Sequence, residues 1–176
     1  MSFRLFNTIV TLLLCTFLSA QQSQFCIDAN FQQEIDKYIA YSVPSISVSE
    51  LAEQFDDYIL LDAREEPEFN ISHIKGAIHV GYNSLKYDEL KKLDKDANIV
   101  VYCSIGYRSE KIAEYLEAQG FKHVQNLIGS IFEWSNQGHG LVDNQSKPTR
   151  RVHAYSKDWQ RWLSHPEIQK ILKGHE

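Results

Sequence analysis

The amino-acid sequence predicts an α/β domain with a mainly parallel central sheet flanked by helices. Two apolar runs carry most of that reading. Tyr58-Ile59-Leu60-Leu61 and Ile99-Val100-Val101-Tyr102 show no alternation of polar and apolar residues, as expected of strands covered on both faces. Such runs alternate with stretches of helical spacing, which is the order of a parallel sheet crossed over by helices. The chain has 176 residues, 43% of them hydrophobic, enough for one well-buried core and too few for two ordinary domains.

Residues 1–20 stand apart. Arg4 precedes a mostly apolar run over residues 5–18, and Ser19-Ala20 supplies small residues, the outline of a secretory signal peptide. Asn7, Thr8, Thr11 and Thr16 interrupt the run, which falls short of the roughly 20 apolar residues that span a bilayer. The expectation is an exported protein, periplasmic or extracellular, with no stable membrane insertion after cleavage. Gln21 stands where a lipid-anchored protein would carry cysteine, so lipidation is not expected. Cleavage there removes Cys15 and keeps Cys26 and Cys103; two thiols make no disulfide framework.

Residues 21–44 form a predicted helical extension with Phe31, Ile35, Tyr38 and Ile39 on one face, closed by Pro44. Ser47 and Glu50 then make a capping box ahead of a short helix carrying Leu51, Ala52 and Phe55. Between the two apolar runs lie a helical stretch from Glu65 to Asn70, a short strand around Ala77 to Val80, and an amphipathic segment with Leu85, Leu90 and Leu93. After Tyr102 comes a helix turning Ile112, Ala113 and Leu116 inward and ended by Gly120, then a strand from Val124 to Leu127 and a helix near Ile131 to Asn136. Residues 141–176 read as a C-terminal helical extension behind a polar linker. Tyr155, Trp159, Trp162 and Leu163 recur at helical spacing, and Pro166 can open a second helix ahead of Ile168, Ile171 and Leu172. That aromatic stripe is expected to be packing surface.

Charge and spacing exclude several functions. Eighteen Lys and Arg against 23 Asp and Glu give a net charge of −5, and no basic block occurs, so nucleic acid is not an expected partner. The seven histidines show no ligand spacing with one another or with cysteine; neither a metal nor another cofactor is expected.

The chemistry points to Cys103-Ser104-Ile105-Gly106-Tyr107-Arg108-Ser109. This segment puts a cysteine at the C-terminal end of a buried strand, directly before a helix, which is the ligand-binding edge of a parallel sheet. Backbone N–H groups of a loop entering a helix, together with the helix dipole, stabilise an anion there. A thiol so placed beside arginine can fall from about 8.5 to about 3.5–7.5. Gly106 allows close backbone approach or positive φ, and Arg108 can hold an oxyanion through paired hydrogen bonds. Asp62 and Arg64 read as a structural ion pair or cap at least as well as groups near the site, and Cys26 as a structural thiol, although a disulfide with Cys103 would silence the latter.

From about residue 45 to residue 140 the chain resembles the rhodanese homology domain, a three-layer α/β fold. Asp62-Ala63-Arg64-Glu65 looks like that family's D-x-R-E segment, and Glu68-Phe69 with His73-Ile74-Lys75-Gly76-Ala77 like its E-[FY]…H-I-x-G-A element. Cys103 to Arg108 resembles its active-site loop, and Gly129-Ser130-Ile131 to Trp134 its G-G-x-x-x-W. Ser130 and Ser72 stand where the family often has glycine, which puts turn geometry rather than chemistry in question.

The resemblance implies a sulfurtransferase. Cys103 would take a sulfane sulfur from thiosulfate or a similar small donor, hold it as a persulfide, and yield it to a thiol, to cyanide or to an exported protein acceptor. Residues Ser104 to Ser109 would bind the substrate, with Arg108 contacting the sulfonate. Four residues separate Cys103 from Arg108, one fewer than in related phosphatases, and this suits sulfur over phosphate. The alternatives are a non-catalytic binding or sulfur-carrier module, and phosphatase or arsenate-reductase-like activity on the same scaffold.

Overall fold

The structure, a computed structural model, describes residues 24–172; the apolar run of residues 5–18 and the expected cleavage site lie outside the described residues. Five strands form one parallel sheet: β1 (Ser45–Ile46), β2 (Ile59–Asp62), β3 (Ile78–His79), β4 (Asn98–Tyr102) and β5 (His123–Leu127), in the order β1-β5-β4-β2-β3. The two continuous apolar runs occupy the middle, where β4 pairs with β2 on one side and β5 on the other.

Among the described residues, six helices pack around the sheet: α1 (Ala29–Ile35), α2 (Val48–Glu53), α3 (Glu66–Ile71), α4 (Tyr87–Leu90), α5 (Tyr107–Ala118) and α6 (Ser130–Asn136). Side chains of β4 alternate between two cores. Val100 and Tyr102 meet Phe31, Ile35, Leu51, Ile131 and Phe132, whereas Ile99, Val101 and Cys103 meet Leu90, Ile112, Ala113 and Leu116. The helices are there because each has an apolar stripe to bury and a defined end. Asp28 caps α1 by accepting from the N–H groups of Asn30 and Phe31. The Ser47–Glu50 capping box opens α2. Gly120, at φ 88°, closes α5, with the Phe121 N–H returning to the Leu116 carbonyl at 3.1 Å.

The C-terminal segment departs from the expected helical extension. β6 (Leu141–Val142) pairs antiparallel with β7 (Pro148–Thr149), and β8 (Arg151–His153) pairs in parallel with β9 (Gln169–Ile171). Of the two helices expected, Trp159–Trp162 forms a single 3₁₀ turn. The apolar spacing misled because its members do not share a face: Tyr155 is 55% exposed while Leu163 is fully buried. Tyr155 also sits at φ 61°, where a right-handed helix cannot pass. Beyond Pro166 the backbone bonds into a ladder instead, with the Gln169 N–H donating to the Arg150 carbonyl at 2.9 Å and the Ala154 N–H to that of Ile171 at 2.8 Å.

Both extensions dock on the domain and on each other. Phe31 packs against Phe132 and Trp162, with ring centroids 6.5 and 5.6 Å away. Asn136 on α6 donates to the Trp162 carbonyl and accepts from the Ser164 N–H, at 2.8 and 2.7 Å. The buried Glu110 carboxylate on α5 accepts from the N–H groups of Ala40 and Ser42, both at 3.0 Å. That pair of bonds brings the chain after α1 alongside the start of α5.

Candidate active site

Strand β4 delivers Cys103 to the sheet edge, and α5 begins four residues later. The intervening loop is wired from outside. The N–H groups of Gly129, Ile131 and Phe132, at the start of α6, donate to the carbonyls of Ile105, Cys103 and Ser104 at 3.0, 3.2 and 3.2 Å. With these carbonyls turned away, the Gly106 N–H donates to Cys103 Sγ at 3.2 Å. Gly106 makes this approach at φ 123°, and a Cβ there would lie 2.7 Å from Ile39 Cδ1, so both conformation and space select glycine.

Two neighbours complete the cradle. Ser109 Oγ lies 3.5 Å from Cys103 Sγ and 2.7 Å from Asn126 Oδ1, and its single proton can serve either acceptor. Asn126, buried on β5, also donates from Nδ2 to the Gly106 carbonyl at 2.9 Å, tying loop and serine to one amide. The sequence reading passed over Asn126, although a polar residue inside an apolar strand is itself a signal. The Cys103 N–H donates to Ser130 Oγ at 3.1 Å, and Ser130 in turn donates to the Leu127 carbonyl at 2.8 Å. Ser130 takes the positive φ of 49° that a glycine would adopt, so its hydroxyl compensates for the missing glycine by capping the nucleophile's own amide. Ser72 needs no such compensation: at φ −169° its backbone is extended.

The electrostatics favour sulfur as an anion. Burial pushes the Cys103 thiol up, but the Arg108 guanidinium, the Ser109 hydroxyl and the N–H groups of Ser109 and Gly106 outweigh it, leaving the thiol below its ordinary value. Cys26 is the opposite case: burial first, then the charge of Glu133, raises its thiol far above the ordinary range. Cys26 and Cys103 are free thiols.

Arg108 does not present an open fork. Its Nη1 and Nη2 meet Glu68 Oε2 and Oε1 at 2.7 and 2.9 Å, and Nη2 also donates to Ser104 Oγ at 2.9 Å. Glu68 thus occupies the paired N–H groups through which the sequence leads one to expect Arg108 to hold an oxyanion. Glu68, 2% exposed, is desolvated, which alone would raise its carboxyl. The Arg108 and His153 side chains and the charge of Arg64 hold it well below the usual carboxylate range. Asp62 and Arg64 form a fully buried ion pair, 2.6 Å apart. Arg64 also donates to the Ser72 carbonyl at 2.7 Å; the pair braces the chain between β2 and α3.

A cleft of about 210 Å³ opens over the loop. Of the predicted site residues, Cys103, Ser104, Ile105, Tyr107 and Arg108 line it, while Gly106 and Ser109 support the sulfur from behind. Tyr38, Tyr155 and Trp159 complete the walls. Helical spacing in the sequence predicts all three on helix faces, whereas Tyr38 lies beyond the end of α1 and Tyr155 ahead of the 3₁₀ turn.

A family model for the rhodanese-like domain matches residues 47–137. The thiosulfate sulfurtransferase GlpE of Coxiella burnetii is 37% identical over 79 residues, covering 44% of this chain and 72% of that protein. The putative sulfur carrier protein YrkF of Bacillus subtilis is 30% identical over 101 residues, covering 56% of this chain and 54% of its own length. A solved rhodanese-related protein from Thermoplasma volcanium superposes with a TM-score of 0.52 at 30% identity, covering 57% of this chain and 98% of that one.

Proposed function

The chain belongs to the rhodanese-like domain family, and from that premise we propose that it is a sulfurtransferase working through a persulfide on Cys103. The observation that carries the reading is the Gly106 N–H pointing at Cys103 Sγ from 3.2 Å, beside a thiol held below its ordinary value despite full burial. In the first half-reaction the Cys103 thiolate attacks the outer sulfur of a sulfane donor. A new S–S bond forms, the donor's own bond to that sulfur breaks, and its electron pair leaves with the remainder of the donor, as sulfite when the donor is thiosulfate. The persulfide keeps a negative outer sulfur, which the same N–H groups and helix start can stabilise. In the second half-reaction a thiolate or cyanide attacks the outer sulfur and the Cys103 thiolate departs. Two chemically separate halves imply ping-pong kinetics.

The test is intact mass after incubation with thiosulfate and, in parallel, with sodium methanethiosulfonate, on the native protein and on Cys103→Ser. One added sulfur on the native protein alone, removed by cyanide, is the expected result. Absence of loading from either donor would overturn the proposal. Loading without catalytic turnover would point instead to the sulfur-carrier role that the name of the Bacillus relative suggests.

The proposal includes export. It rests on the apolar run of residues 5–18 and the small pair Ser19-Ala20, and the mass of the chain recovered from a cell envelope fraction tests it. An uncleaved chain recovered from the cytosol would refute it.

A further inference from the structure

Resting on the sulfurtransferase reading, we infer that the cleft selects a sulfur donor carrying a flat, apolar organic group in preference to the thiosulfate dianion. Four aromatic side chains line the cleft; Tyr107 opens α5, and the other three come from flanking chain. Tyr38 comes from the chain after α1, and Tyr155 and Trp159 from the connection between β8 and β9. All three lie outside the residues matched by the family model.

These side chains are held in place rather than loosely draped. Tyr38 and Trp159 meet edge to face, with ring centroids 5.4 Å apart at 64°, and the Glu110 bonds to Ala40 and Ser42 fix the backbone that carries Tyr38. Tyr155 sits at φ 61°, and the Ser156 N–H closes back on the Ala154 carbonyl at 2.6 Å. That three-residue turn is a strained conformation for a bulky residue. The turn persists between the buried Ala154 and the 3₁₀ turn, and it sets the Tyr155 ring 5.3 Å from the Arg108 guanidinium. Strain kept at the mouth of a cleft is a mark of a functional constraint.

Charge argues the same way. Arg108 is the one cation among the described residues lining the cleft, and Glu68 neutralises it through two short bonds. A dianion placed over Cys103 would therefore meet a thiolate, a balanced ion pair and aromatic faces. An aryl group would instead exchange water for stacking contacts. The space suffices: a cavity of about 150 Å³ holds a benzene molecule, and this one has about 210 Å³.

With an arenethiosulfonate the step balances without another reagent. The Cys103 thiolate bonds to the terminal sulfur, the bond between that sulfur and the sulfonyl sulfur breaks, and the arenesulfinate leaves with the electron pair. No proton moves.

The experiment compares kcat/KM for thiosulfate, methanethiosulfonate and benzenethiosulfonate on the full chain, with cyanide as acceptor. The ratio of benzenethiosulfonate to methanethiosulfonate is divided by the same ratio for a free small thiolate, which removes the intrinsic reactivity of the donors. The expected corrected preference for the aryl donor is roughly tenfold, expressed in KM. Tyr155→Ala should cut it several-fold, Tyr155→Phe should retain it, and Trp159→Ala provides a second, independent wall variant. A corrected ratio near one, a ratio unmoved by both alanine variants, or a kcat/KM highest for thiosulfate would overturn this inference while Cys103 still loads. Failure of all three donors to add sulfur to Cys103 would instead overturn the underlying sulfurtransferase reading, and the intact mass distinguishes the two failures.

Discussion

Glu68 grips Arg108 with both carboxylate oxygens, at 2.7 and 2.9 Å, from a position 40 residues earlier in the chain. The grip has two effects on Cys103. It fixes the guanidinium whose charge draws the thiol below its ordinary value, and it cancels much of that charge toward anything entering from solvent.

Replacing the carboxylate separates these effects. In Glu68→Gln the buried guanidinium loses its counter-charge, so stability should fall by roughly 3–5 kcal/mol, read by urea denaturation at pH 7. The Cys103 thiol should fall further, and KM for thiosulfate should drop because the cation is now available to a dianion. An unchanged KM would mean that Arg108 does not face the donor.

The same carboxylate sets an acid limit. Glu68 titrates near 4.3 when unfolded and lower when folded. Below about pH 4–5 the unfolded chain therefore takes up a proton that the folded chain refuses, and stability falls as pH drops toward the folded value. Denaturation between pH 6 and pH 3 should show this slope in the native protein and a shallower one in Glu68→Gln.

Removing the cation works in the opposite sense. Arg108→Gln leaves Cys103 buried, takes away the charge that lowers its thiol, and exposes it to an unbalanced Glu68. The thiol should rise, and alkylation by iodoacetamide at neutral pH should slow, by roughly tenfold for each pKa unit gained while little of the thiol is ionised. Arg108→Lys should recover part of the rate. The native protein itself should alkylate at Cys103 and spare Cys26, whose thiol is raised by burial and which does not line the cleft; peptide mapping reads both sites.

Ser130 offers a stability test of the loop. Ser130→Ala keeps a left-handed residue and leaves the buried Cys103 N–H without its acceptor, at a cost of about 1–3 kcal/mol. Ser130→Gly loses the same acceptor but relieves the backbone, so it should cost less than alanine. Thermal unfolding of the two variants gives the order directly.

Features set by neighbours along the chain were legible in the sequence. The strand end, glycine and helix start around Cys103 are contiguous, as are the Ser47–Glu50 capping box and the turn at Gly120. What escaped depends on partners far apart. Glu68 was noted as part of a motif, yet its hold on Arg108 exists only once α3 and α5 are packed. Asn126 reaches Gly106 and Ser109 from another strand. The 4, 3, 1 spacing of Tyr155, Trp159, Trp162 and Leu163 imitates a helix, and only the pairing of β8 with β9, whose partner residues stand 18 positions apart, overrides it. Local periodicity cannot register a competing ladder at that range.

The origin of three of the aromatic walls divides the labour of the molecule. Cys103, Gly106, Arg108 and Glu68 lie inside the segment that the family shares, whereas Tyr38, Tyr155 and Trp159 arrive on flanking chain. On the reading proposed above, reactivity lies on the shared segment and donor selectivity largely on the flanking chain. A lineage can exchange the flanks and acquire a new substrate while the reacting loop stays untouched, and two family members with identical loops need not share a donor.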